Sequence, residues 1–284
     1  MIKMIKSIQS VRIILSGLFL FLFLNQAANT QESRQLTRDE LNTELRKALL
    51  QNDEQQSFSI IKDNRLLIKP FVDALVTESI ICELKGKLAE SKQLSTIAGK
   101  TAGTFYKIFS ERSLLIAVNY LTIWSKEQKE IKLTADSLYA AGTKFRLGNE
   151  PQKAIDLFEK VLTLYRNIGD ERGEAEVLGG FGAVYYNNVG DLQTAFSYYE
   201  KALGNREKVD DKVLIGNTLS SIGSLYHDYF LDFPKAITYL TGAEKIRREL
   251  GDLVNLGRTI HVKASALEKN GQLDSALYYF SKSY

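Results

Sequence analysis

Leu178-Gly-Gly-Phe-Gly-Ala-Val-Tyr185 and Leu219-Ser-Ser-Ile-Gly-Ser-Leu-Tyr226 carry one pattern, Leu, a large apolar residue, Gly and Tyr, 41 residues apart. Ala202 and Ala243 keep the same step, as do Gly223 and Ala264. A fixed period of this length predicts stacked supersecondary units rather than a globular enzyme core.

Working outward, a first helix (helix A) reads Leu138, Ala141, Gly142, Phe145 before these two stretches and Ile260, Ala264, Leu267 after them. A second helix (helix B) answers with Ala154, Phe158, Val161; Ala195, Tyr199, Ala202; Ala236, Leu240, Ala243; and Ala276, Phe280, Ser283. Spacings of three and four place each set on one helical stripe. Four units therefore fill 135–284, and Gly142, Gly182 and Gly223 read as points where helices A and B cross. Gly148-Asn149, Gly190-Asp191, Leu231-Asp232 and Gly271-Gln272 separate A from B, where glycine ends one helix and Asn or Asp caps the next. Pro151 and Pro234 stand just inside helix B, where proline is tolerated. The expected fold is all-α, a right-handed superhelical solenoid of antiparallel helix pairs.

These residues resemble a tetratricopeptide repeat, with its Leu, Gly and Tyr in helix A and its Ala, aromatic and Ala in helix B. The family's unit is about 34 residues. Here the extra length is expected between helix B and the next helix A, around Ile168-Gly169-Asp170, Val209-Asp210-Asp211 and Leu250-Gly251-Asp252. The resemblance implies a surface that binds proteins. Its best-known carboxylate clamp of Lys and Asn is not carried over, because those positions hold Tyr139, Thr143, Gly180 and Ala183. Lys263, in a place otherwise apolar, and Ser283, in place of the last Ala, make the fourth unit the least regular.

Residues 1–28 read as a signal peptide or an amino-terminal anchor. Lys3, Lys6 and Arg12 precede the charge-free run Ile13–Leu24, which is followed by small and polar residues. The run is short for a spanning helix, and Gln26 leaves both cleavage and an uncleaved anchor open. The protein is thus expected to be exported, periplasmic or extracellular, with any membrane contact confined to this segment. The formal net charge of +3 belongs to the same segment, so a nucleic-acid footprint is absent. Cys82, the single cysteine, has apolar neighbours and reads as a small buried residue.

Residues 31–134 are expected to be helical without a clean period. Thr37 and Glu40 fit a capping box for a helix through Leu41, Leu45 and Leu49. An extended stretch ending in Lys69-Pro70 is expected next, with Pro70 opening a helix through Phe71, Leu75, Ile80 and Leu84. Further helices cover Leu94 to Phe109 and Leu114, Ala117, Leu121 and Trp124, the last three at the spacing of helix B, as in a degenerate repeat. This layout is similar to the amino-terminal part of exported bacterial repeat proteins that carry a caspase-like CHAT peptidase.

No nucleophile elbow, Walker loop, Cys-x-x-Cys or His-x-x-x-His is present, so neither catalysis, a cofactor nor a metal is expected. His227 and His261, with Asp228 and Glu268 nearby, read as groove lining rather than as a zinc set of three or four ligands. The inner surface is expected to be lined by Asp136, Tyr139, Thr143 and Arg146; Glu176, Ala183, Tyr186 and Asn187; Asn217, Ser220, Ser224, His227 and Asp228; and Arg258, His261, Ser265, Glu268 and Lys269. Tyr139 and Tyr186 are its aromatic anchors. The expected function is an exported scaffold whose inner groove takes a protein or peptide segment. The alternative is a regulatory or sensory arm of a larger enzyme, a CHAT-type peptidase or a sensor kinase. That alternative expects the chain to continue beyond Tyr284, because it stops inside a helix B with Tyr278, Tyr279, Phe280 and Tyr284 awaiting cover.

Overall fold

The computed structural model describes residues 36–282, which form thirteen α-helices and no strand. Residues 1–35, which include the segment expected to be a signal peptide or anchor, and Ser283 and Tyr284 lie outside the described residues.

Five helices form an amino-terminal bundle: α1 (Arg38–Leu50), α2 (Glu54–Asp63), α3 (Arg65–Leu84), α4 (Leu88–Phe109) and α5 (Ser113–Ile123). Thr37 and Glu40 make both bonds of the capping box that starts α1. The stretch ending in Lys69-Pro70, expected to be extended, is instead taken up by α2 and the start of α3. Asp53 caps α2 by accepting from the Gln56 amide, and Asn64 joins α2 to α3, accepting from the Leu36 amide and donating to the Ile60 carbonyl. Pro70 therefore lies inside α3 rather than at its start. An interior proline costs about 3 kcal/mol, but Ile68, Phe71, Val72, Leu75 and Val76 on the same helix are buried, each worth about 1.5–3 kcal/mol. Burial outweighs the local preference. Cys82 is buried in this core.

The array follows as four helix pairs: α6 (Lys126–Leu147) with α7 (Pro151–Ile168), α8 (Glu171–Val184) with α9 (Leu192–Val209), α10 (Lys212–Asp228) with α11 (Phe233–Leu250), and α12 (Leu253–Lys269) with α13 (Leu273–Lys282). A π-helical turn, Tyr185–Val189, extends α8. The extra length is not in the loops from B to A. Those loops are two residues long, while α7, α9 and α11 are each 18 residues. Each loop ends one helix in the left-handed region, at Gly169, Asp210 and Gly251, and begins the next with a carboxylate cap. Asp170, Asp211 and Asp252 accept from the amides of Gly173, Leu214 and Asn255.

The glycines mark the crossings. A Cβ on Gly142 would stand 2.7 Å from the Phe158 ring, on Gly182 2.7 Å from the Tyr199 ring, and on Gly223 2.7 Å from Leu240 Cγ. The helix A glycine and the large helix B residue are thus one contact made three times. Between A and B, Asp191 and Asp232 cap as the sequence predicts. Asn149 does not: it takes φ 59° and leaves Glu150 at the cap position without a side-chain bond. Lys263 is buried because Glu244 on α11 meets its Nζ at 2.9 Å and Tyr279 accepts from it at 3.1 Å.

The bundle and the array share a seam. The Trp124 indole, stacked on Tyr120 at 4.2 Å, donates to the Ile168 carbonyl at 2.9 Å, and Tyr120 Oη accepts from the Glu171 amide. Helix α5 packs on α3 and α4 rather than along α6 as each helix B packs along the next helix A.

Candidate functional site

Helices α6, α8, α10 and α12 are the A helices, and the structure divides their expected lining residues into three groups. The first is absorbed by packing at the start of the array. Tyr139 leans on Phe158, with ring centroids 5.4 Å apart, and donates to the Glu176 carbonyl; burial pushes its phenol up to about 12. Asp136 accepts from Lys132 at 2.7 Å and from Tyr165 at 2.8 Å. Thr143, Arg146 and Ala183 are half-buried, and the Arg146 carbonyl accepts from Asn188.

Glu176 belongs to a charged seam that sequence reasoning missed. Lys69 of α3 reaches Glu176 at 3.3 Å and Asp211 at 2.8 Å, and Arg172 of α8 reaches Asp73 of α3 at 3.0 Å. Burial works against the charge on Glu176 and Asp211, but Lys69 chiefly, with Arg172, holds both carboxyls below their usual range. Farther along, the Arg112 amide donates to Asp210 and Arg65 donates to the Glu249 carbonyl. The bundle thus lies across the starts of α8 and α10 and reaches the end of α11, covering part of the surface that the repeats alone would leave open.

The second group forms one line across three A helices. Tyr186 Oη lies 3.5 Å from Asp228 Oδ2, Asp228 Oδ1 meets His227 Nδ1, and His227 Nε2 lies 3.0 Å from Ser265 Oγ. The imidazole thus bridges the Asp228 carboxylate and the Ser265 hydroxyl. Acyl transfer would also need free N–H donors for an oxyanion. Ser265 lies within α12, whose amides bond inside the helix. What the line offers outward is Asp228, whose side chain is 53% exposed. Beside it, Asn217 and Ser220 accept from the Arg247 guanidinium at 3.2 and 3.3 Å, Ser224 is half-buried and Asn187 is exposed.

The third group stands apart toward the last unit. Arg258, Glu268 and Lys269 are exposed, and exposed His261 meets the Phe280 ring at 5.6 Å. No three His, Cys, Asp or Glu side chains among the described residues are grouped to hold a metal, and no described helix is long and apolar enough to cross a membrane.

Arg206 and Arg247, 41 residues apart, are buried at equivalent places near the ends of α9 and α11. Arg206 donates to Leu214 O and Thr218 Oγ1, and Arg247 to Asn255 O and Thr259 Oγ1. Each guanidinium thus grips the helix A that follows, and desolvation holds both below the usual arginine range. The signal was visible as Arg and Thr recurring on the period.

Residues 132–208, the first two units, match the tetratricopeptide repeat family model. A search of curated proteins finds none that matches the sequence. Among solved structures, the apo form of RapI aligns with TM-score 0.50 and 19% identity over 85% of this chain and 68% of that one. BtubC (BKLC) from P. vanneervenii aligns with TM-score 0.48 and 14% identity over 87% of each chain.

Proposed function

We propose, from the tetratricopeptide repeats that this chain carries, that it is an exported, non-catalytic scaffold that holds a protein segment on its A helices. The observation that carries this reading is the line Tyr186–Asp228–His227–Ser265. Side chains from three successive units are fixed by one another there, and one carboxylate is left facing outward. Preorganised polar groups of this kind bind with little ordering cost. Export rests on Lys3, Lys6 and Arg12 ahead of the charge-free run 13–24.

A photoreactive residue at Asn187, on the inner line, should capture a discrete protein in the native host, whereas one at exposed Lys160 on α7 should not. Asp228→Lys should remove the captured band. Equal labelling from both positions would sink the groove assignment. Separately, fusing residues 1–35 to a reporter active only outside the cytoplasm should give signal, and Leu18→Arg with Leu20→Arg should abolish it.

A further inference from the structure

Between α3, α5, α6 and α8 lies a half-open cavity of about 170 Å³ that the inner line does not use. Its charged lining is Asp73, Asp136, Asp170 and Glu176 against Lys132 and Arg172, four carboxylates to two cations. The ion pairs already formed do not cancel this excess. Arg172 is engaged by Asp73, and Lys132 is shared between Asp136 at 2.7 Å and Asp170 at 3.0 Å. Even with Lys69 and its second partner Asp211 counted, carboxylates lead five to three. Asp170 is the most enclosed of the four carboxylates: its side chain is 1% exposed, Oδ1 accepts from the Gly173 amide, and Oδ2 lies 3.0 Å from Lys132 Nζ.

A second feature is independent of the carboxylates. Tyr120, Trp124 and Tyr139 form aromatic lining of the same cavity, and ring faces attract cations and repel anions. Size narrows the choice further. The cavity is smaller than the roughly 300–1,000 Å³ of ordinary small-molecule sites, and it suits the head of one side chain. Its lining includes Tyr139 and Glu176, which belong to the A helices of the first two units. A metal is disfavoured because the described residues hold no suitable ligand group.

We infer that this cavity receives a lysine or arginine side chain from the protein segment that lies along the A helices. The inference rests on the groove reading for the source of that side chain, while the preference for a cation is a property of the cavity itself.

The test uses the full chain with n-butylammonium and n-butylguanidinium as probes and n-pentanol as the uncharged control. Either cation should bind with one-to-one stoichiometry in calorimetry and raise the melting temperature saturably, by about 2–5 °C. Pentanol should do neither. Asp136→Asn should weaken cation binding about tenfold. In case that variant folds poorly, Thr77→Arg places a guanidinium at the cavity wall from within. It should raise the melting temperature and abolish the probe response, while Thr77→Met should leave both as they were. A capped Gly-Lys-Gly peptide should compete with butylammonium, and a capped Gly-norleucine-Gly peptide should not. If the free amine binds and the lysine peptide does not compete, the side-chain source is wrong. Asp228→Lys, which tests the groove, should leave probe binding unchanged, so the two readings fail separately. No response to either cation, or an equal response to pentanol, overturns the inference.

Discussion

Phe158, Tyr199 and Leu240 each lie over a glycine of the neighbouring helix A, so the array repeats one contact, whereas Leu75 belongs to one shared apolar core. The bundle buries α3 among α1, α4 and α5 in a single apolar cluster, so its helices are expected to unfold together. Each array unit touches chiefly its neighbours, and such solenoids distribute stability pairwise. The two regions show that a repeat can be read from its period, while an irregular bundle must be read from its burial.

The largest expected effects test that contrast directly. Phe158 and Leu75 are fully buried, and truncation to Ala should cost about 3–5 and 2–5 kcal/mol respectively. Hydrogen exchange should show the loss from Phe158→Ala concentrated in α6 to α9, and that from Leu75→Ala spread through residues 36–123. A uniform loss from both would mean that the chain has one cooperative core.

Gly223→Leu should cost about 1–3 kcal/mol by overpacking against Leu240. The same change at Gly204, where a Cβ would meet nothing within 4 Å, should leave the melting temperature unchanged or higher. Equal losses would refute the crossing geometry.

A smaller effect should appear at the seam. The Asp211 and Glu176 carboxyls lie below their ordinary values of 3.8 and 4.5, so their contribution is complete above those values and fades as pH falls through the folded ones. Trp124, the only tryptophan, reports on this seam. Its emission should shift to the red below about pH 4.5 before helical circular dichroism is lost, and Lys69→Met should move that shift to higher pH. Coincident transitions would show that the seam is no weaker than either region. Smallest of all, Gly204→Ala should stabilise by about 0.5–1 kcal/mol, measurable by urea titration.

Much of the array was legible because each predictive residue acts within its own helix or on the partner helix of its own unit, at a spacing that recurs on the period. Gly182 with Tyr199, the caps at Asp191 and Asp232, and Pro151 at the start of α7 all follow from such local rules. The bundle was less legible. Pro70 signalled a helix start, yet the buried face of α3 overrode it, and that face depends on partners distant in sequence. The seam was missed for the same reason, since Lys69 and Glu176 are 107 residues apart. The inner line was half legible: periodic register placed Tyr186, His227, Asp228 and Ser265 on A helices, but not their bonding to one another. Tyr139, read as an anchor, has its ring and hydroxyl engaged by Phe158 and Glu176.

The paired arginines bear on how such a chain can grow. Arg206 and Arg247 present the same fork to the same kinds of atom, a first-turn carbonyl and a threonine hydroxyl twelve residues downstream. A gene duplication that copied the third unit and inserted it after the second would therefore carry a matching plug and socket at both joints. The first unit cannot be moved so freely. Its equivalent position is Tyr165, bonded to Asp136 on its own helix A and facing a cavity that exists only beside the bundle. New length is expected to enter by copying the interior units, with the first held as the fixed adaptor between two kinds of architecture.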